Sequence, residues 1–240
     1  MNDEDRMSST ILQHTVKKYD EELAQIRDHV LKMGWLAGMQ LRDALKTLAL
    51  TDSVLREGVL RRESDMDQME VEVDEAILEL VARRCPMGSD LRTIVSFSKS
   101  ASDLEKIGDE AVRIVGFTQE LTESNYNELN KNAISEIERL GQLAISIFQD
   151  AIALFAEWDE IKAQQVICSQ TDMDGEFQQE LQRLMTYITE DSLLVKQAVC
   201  MALVAKSFDR ITHHAQNLAE YVYFEIKGVD VRLGDVRSGL

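Results

Sequence analysis

Residues 34–52 read GWLAGMQLRDALKTLALTD, and residues 141–159 read GQLAISIFQDAIALFAEWD. Laid on each other at an offset of 107, Gly34, Ala37, Asp43, Ala44, Ala49 and Asp52 fall on Gly141, Ala144, Asp150, Ala151, Ala156 and Asp159. Apolar positions agree too, with Val30, Met33, Leu41, Leu45 and Leu48 matching Ile137, Leu140, Phe148, Ile152 and Phe155. Asp65-Met66-Asp67 recurs at the same offset as Asp172-Met173-Asp174. Towards the C-terminus the offset falls to 104, so that Glu105-Lys106-Ile107 meets Asp209-Arg210-Ile211. The three missing residues lie around Pro86, where a hairpin tolerates a deletion. The chain reads as two tandem copies of one unit, and that decides the fold before any other assignment.

Each copy reads as three helices. Ile26, Val30, Met33, Ala37, Leu41, Leu45 and Leu48 recur at three- and four-residue spacing, the period of an amphipathic helix. Asp52 is placed to cap a second helix carrying Leu55, Val59, Met66, Met69, Val73, Ile77, Leu80 and Val81. Pro86 and Gly88 break that helix, and Ser89 or Asp90 is expected to cap a third running from Leu91 to about Leu121. The polar stretch Thr122–Asn132 reads as the inter-unit linker, and the second unit places helices at roughly 132–157, 159–189 and 192–227. Helices of ~30 residues are ~45 Å long, and short connections force neighbours antiparallel. The expectation is an all-α chain of two tandem, separate three-helix bundles, 14–122 and 123–228, with a fraying tail at 229–240.

Composition agrees. Among 240 residues there are one proline, 11 glycines and 6% aromatics, too few for a β-rich chain with a turn every ~8–12 positions. The net charge of −17 argues against a nucleic-acid partner, because phosphate contacts depend on Lys and Arg. It argues equally against docking on anionic lipid. Cys85, Cys168 and Cys200 are odd in number and far apart, which suits a reducing compartment. The opening MNDEDRMSST is acidic with no apolar segment behind it, unlike a signal peptide. The longest wholly apolar run, Ala198–Ala205, falls far short of the ~18 residues of a membrane span. A soluble cytoplasmic protein is expected, with no membrane insertion.

The hairpins make the acidic residues informative. Folded about Pro86, the second and third helices set Asp67 beside Glu105 and Glu63 beside Asp109. Glu63/Asp67 and Glu105/Asp109 are i,i+4 pairs, so each helix presents two carboxylates on one face. About residue 191 the second copy sets Asp174 beside Asp209 and Gln170 beside His213, with Asp172 nearby. Carboxylates gathered at one level must be protonated, solvated or bridged by cations. Inward acids and His on facing helices are how bundles hold transition metals. The metal candidates are therefore Glu63, Asp67, Glu105, Asp109, Asp174, Asp209 and His213. The competing reading is a wet acidic face on a very acidic protein.

Other features carry less. His213-His214 reads as an exposed pair, lifted only by the register of His213 with Asp209. Cys85 reads as a small buried residue. Gly34 and Gly38 on a helix point to close packing or a partner-facing patch, core packing being the commoner use. No Ser/His/Asp elbow, P-loop or GxGxxG is present, so no catalytic constellation is expected.

Residues 69–76, MEVEVDEA, then 82–92, ARRCPMGSDLR, then 103–109, DLEKIGD, together resemble the PhoU family of phosphate-signalling proteins. The second copy, with 184–187, LMTY, 208–220, FDRITHHAQNLAE, and Lys227-Gly228, is similar to that family's second repeat. The resemblance spans about residues 14–230. It implies two three-helix repeats related by pseudo-twofold symmetry, each with an E/D-xxx-D metal motif. Those motifs carry over onto Glu105/Asp109 and Asp209/His213, with Thr212 standing for the family glycine and His213 for the aspartate. A His moves preference towards borderline metals such as Fe or Zn, with Mn a further candidate. The resemblance further implies a non-enzymatic cytoplasmic regulator that restrains phosphate uptake and the phosphate-starvation response. Its partners would be the ATPase subunit of a phosphate ABC transporter and a membrane sensor histidine kinase, and it would form a homodimer. The alternatives are a metal-dependent phosphohydrolase on the carboxylate clusters and a purely structural helical bundle.

Overall fold

The computed structural model describes residues 3–50, 52–123, 131–190 and 195–231. Among these residues six helices follow one another: α1 (Asp3–Lys46), α2 (Ser53–Arg84), α3 (Ser89–Glu123), α4 (Lys131–Glu157), α5 (Glu160–Glu190) and α6 (Val195–Lys227). No strand occurs among the described residues. The expected linker Thr122–Asn132 and the tail beyond 231 fall largely outside them.

The helix ends follow from local chemistry. Asp52 accepts the Val54 N–H at 2.8 Å and so caps α2. Its repeat-mate Asp159 accepts from Ile161 at 2.8 Å and Lys162 at 3.1 Å, capping α5. Ser89 and Asp90 cap nothing, contrary to expectation. Both lie inside the first turn of α3, and the Gly88 carbonyl takes the first backbone bond, from Arg92. Cys85, expected in the core, is exposed. It ends α2 in the left-handed conformation (φ 50) with its N–H on the Val81 carbonyl, so it caps the helix at the surface instead of packing into the core. Trp158 ends α4 the same way (φ 51), its ring 5.7 Å from the Arg27 guanidinium, which also donates to the Phe155 carbonyl.

Within each repeat the three helices pack on one another, as expected of up-down bundles. The repeats are not separate bundles, however. The most extensive helix–helix contact in the molecule runs between α3 and α6, one from each repeat, and α1 also meets α4. One continuous core results, with Phe97, Leu104 and Ile107 of α3 and Phe208, Ile211 and Leu218 of α6 fully buried. Helix α6 is buried round most of its circumference, which is why its sequence lacks a clean polar face. Residues 133–157 of α4 are long and apolar enough by composition to cross a membrane; half of their most apolar stretch is buried inside the bundle. The start of the expected fraying tail is anchored, since Val231 is fully buried.

Candidate metal centres

The α2–α3 hairpin brings Glu63, Glu105 and Asp109 together, each with a carboxylate oxygen within 4.8 Å of the other two. All three are half-buried. Asp67, placed in this group by the hairpin register, is not in it. It points to solvent, and Glu63 alone of α2 meets both acids of α3. Its charge is still felt there. Burial first, then Asp109, through its charge and a carboxyl–carboxyl hydrogen bond, and last the charge of Asp67, drive the Glu63 carboxyl up to about 7 against the opposing hydrogen bond from Gln40. Burial, with Asp109, Glu70 and Asp67 behind it, also raises Glu105.

Gln40 of α1 was missed by the sequence reading. It is fully buried, and its Nε2 donates to Glu63 Oε2 at 2.9 Å and to the Val59 carbonyl at 3.4 Å. The signal was available, since Gln40 is a polar residue on the apolar stripe of Met33, Ala37, Leu41 and Ala44. Gly108 completes the cradle: a Cβ there would stand 2.8 Å from Glu63 Oε2 and 3.2 Å from Gln40 Oε1.

The α5–α6 hairpin brings together Asp174, Asp209 and His213 within the same 4.8 Å. His213 Nε2 lies 3.9 Å from Asp174 Oδ1 and 3.9 Å from Asp209 Oδ2. Asp209 is buried, its Oδ2 accepting from Lys206 Nζ at 2.6 Å and its Oδ1 lacking a partner. The side chains of Gln170 and Asp172 lie outside the described residues.

The donor sets suit cations. Glu63 Oε1 and Asp209 Oδ1 are buried without hydrogen-bond partners, and buried carboxylate oxygens are costly unless something positive or protic meets them. Three carboxylates make an all-oxygen set of the kind Mn²⁺ or ferric iron takes, whereas Asp174, Asp209 and His213 add a nitrogen that suits Zn²⁺ or ferrous iron.

Between the two centres runs a polar seam that sequence reading also missed. Asp103 of α3 accepts from His214 Nδ1 at 2.8 Å, Tyr221 Oη at 2.8 Å and Asn217 Nδ2 at 3.4 Å, all on α6. Burial pushes the Asp103 carboxyl up, but the hydrogen bonds from His214 and Tyr221 outweigh it and hold the group below its usual range. His214 is therefore no idle exposed residue; it is half-buried and committed to the other repeat.

A family model for the PhoU domain matches this chain twice, over residues 30–118 and 137–222. The chain is similar to the phosphate-specific transport system accessory protein PhoU homolog of Pseudomonas putida, at 34% identity over 93% of this chain and 86% of that one. It is also similar to the phosphate-specific transport system accessory protein PhoU of Escherichia coli K12, at 31% identity over 94% of this chain and 92% of that one. The crystal structure of PhoU from Pseudomonas aeruginosa superposes with a TM-score of 0.83 at 34% identity, covering 88% of this chain and all of that one. That of the phosphate transport system regulatory protein PhoU from Streptococcus pneumoniae, at 22% identity and a TM-score of 0.80, shares the fold. With both domain matches falling on the two repeats and their paired centres, the chain belongs to the PhoU family.

Proposed function

We propose that this chain is a cytoplasmic regulator of phosphate transport that acts by docking on partners, not by turnover. The observation that carries this reading is likeness over nine-tenths of the chain to relatives named as accessory proteins of the phosphate-specific transport system. The partners are the ATPase subunit of a phosphate ABC transporter and a membrane sensor histidine kinase, and the regulator works as a homodimer. When phosphate is plentiful it restrains both uptake and the starvation response. Deleting the gene in its own host tests this: starvation genes should be expressed in phosphate-rich medium. Full repression in the deletion strain overturns the reading.

Both centres belong to this proposal. Glu63, Glu105 and Asp109 would hold one ion, and Asp174, Asp209 and His213 a second. A bound ion would supply positive charge that neutralises the gathered carboxylates and ties α2 to α3 and α5 to α6. Asp67 contributes negative charge from the rim. Elemental analysis of protein purified without chelator should show bound Fe, Zn or Mn. Phosphoester turnover by the metal-loaded protein would instead favour a phosphohydrolase, the alternative that the same carboxylates raise.

A further inference from the structure

Gln40 is the one fully buried amide beside the first carboxylate group among the described residues, and only half of it is used. Both neighbours that its Nε2 touches, the Glu63 carboxylate at 2.9 Å and the Val59 carbonyl at 3.4 Å, are acceptors. That fixes which way the amide is turned, with the nitrogen on Glu63 and the oxygen towards Gly108. With Nε2 on Oε2, the other oxygen of Glu63, Oε1, is left without a hydrogen bond and buried. Gln40 Oε1 is likewise buried and unpartnered. A side chain with no exposed surface and an orphaned oxygen is what a packed core excludes unless a further group completes it.

The second repeat shows what the arrangement looks like without this amide. The positions matching Gln40 and Gly108 hold Ile147 and Thr212. Thr212 turns its hydroxyl onto the Phe208 carbonyl at 3.1 Å, and Ile147 is an apolar buried residue. Among the described residues no amide reaches Asp209; Lys206, from the same helix, holds its Oδ2 instead. The two centres thus differ in their support as well as in their ligands.

We infer that Gln40 is the positioning residue of the first centre, holding Glu63 by Oε2 so that Oε1 is presented to a cation shared with Glu105 and Asp109. This rests on the metal reading proposed above and adds α1 to a site otherwise built from one hairpin. Hydrogen-bond partners that sit behind a ligating carboxylate orient it, and their loss costs roughly 10–100-fold in metal affinity. The second centre has Ile147 at the matching position and is independent of Gln40.

The test uses the full-length protein carrying Asp209→Ala with His213→Ala, which leaves the first centre alone, and Mn²⁺ as the probe. Binding is read by calorimetry and by the electron paramagnetic resonance of the bound ion. Gln40→Met keeps the length of the side chain and removes the amide; it should weaken Mn²⁺ binding about 10–100-fold and change the bound-ion spectrum. Gly108→Ala provides a second route. Its methyl would meet only the flexible ends of Glu63 and Gln40, at 2.8 and 3.2 Å, so the fold is kept while the pair is pushed apart. It should weaken Mn²⁺ in the same way, but it moves Glu63 directly, so Gln40→Leu, which also removes the amide, decides the matter if Gln40→Met fails to fold. A merely structural role for Gln40 would lower the apo melting temperature while leaving Mn²⁺ affinity and spectrum unchanged, and that result overturns the inference. A parent protein that binds no Mn²⁺, Zn²⁺ or iron at all overturns the metal reading itself, together with the positioning role of Gln40.

Discussion

Gly34 and Ile152 meet where α1 crosses α4: a Cβ on Gly34 would stand 2.7 Å from Ile152 Cδ1. The same contact occurs again with the repeats exchanged, since a Cβ on Gly141 would stand 2.6 Å from Leu45 Cδ1. Gly34 matches Gly141 and Leu45 matches Ile152 at the offset of 107, so this is one interaction seen twice across a pseudo-twofold axis. It also answers what Gly34 is for, whereas a Cβ on Gly38 would stand at an ordinary 3.5 Å from Phe148. Gly34 and Gly141 serve close approach between the repeats.

The two glycines should nevertheless respond differently to alanine. Replacing a mid-helix glycine gains about 0.5–1 kcal/mol of helix propensity, whereas overpacking costs about 1–3 kcal/mol. At Gly34 the nearest atoms to the new methyl belong to Ile152, half-buried, whose Cδ1 can swing away while its Cγ1 and Cγ2, both at 3.2 Å, give less. At Gly141 it also meets the fully buried ring of Phe208 at 2.6 Å. Gly34→Ala should cost less than Gly141→Ala, which should destabilise by about 1–3 kcal/mol. Urea unfolding of the two variants checks this.

Asp103 should be the costliest single residue of the polar seam. Asp103→Ala removes the acceptor that His214 and Tyr221 share between α3 and α6, and leaving a buried donor unsatisfied costs about 1–3 kcal/mol. Asp103→Asn keeps an acceptor and should cost less. The folded-state carboxyl is held below its unfolded value, so its stabilising contribution is present above the unfolded pKa and is lost as pH falls through the folded one. Acid unfolding of the wild type should therefore be steeper than that of Asp103→Asn.

Glu225 sets a second pH dependence, of opposite sign. Burial pushes its carboxyl up to about 7, even though Thr93 donates to it at 2.8 Å and Arg27 and Arg92 lie near. The native state thus holds a proton that the unfolded chain has released. Its contribution is fully present below the unfolded pKa and disappears as pH rises through about 7. Glu225→Gln should match the wild type near pH 5 and exceed it in melting temperature near pH 8. Equal melting temperatures at both pH values would show that Glu225 carries no such load.

Metal should stabilise each centre through its own residues. A ligand that binds only the folded state adds about 2.7 kcal/mol at a hundredfold excess over its Kd. Glu105→Ala with Asp109→Ala should abolish the part of the Mn²⁺-induced shift that belongs to the first centre. It should also raise the apo melting temperature slightly, because it removes the Asp109 charge that drives Glu63 up. Asp209→Ala with His213→Ala should instead remove the Zn²⁺-induced shift. A solvated acidic face predicts no shift with either metal.

Much of this was legible in the chain. The offset of 107 and the cap Asp52 placed the helices, and the turn at Pro86 set the register that brings Glu63 to Asp109. What stayed hidden depends on packing between hairpins. Pairing residues across a turn assigns Asp67 to the group because it treats both helices as straight and level, whereas the register gives Glu63 both acids of α3. Nothing within one hairpin says that His214 will find Asp103 in the other repeat, 111 positions away. The apolar width of α6 was the available hint, because a helix buried nearly all round needs partners on more than one side.

The left-handed turn at Trp158 bears on the order in which the chain is made. A bulky L-residue at positive φ carries a penalty of about 1–2 kcal/mol, and what offsets it is supplied from α1: the Arg27 guanidinium over the ring and its hydrogen bond to Phe155. Because the N-terminal half leaves the ribosome first, Arg27 is already in place when Trp158 emerges. The second repeat made alone, or a circular permutant that delivers α1 last, would meet that turn without its template.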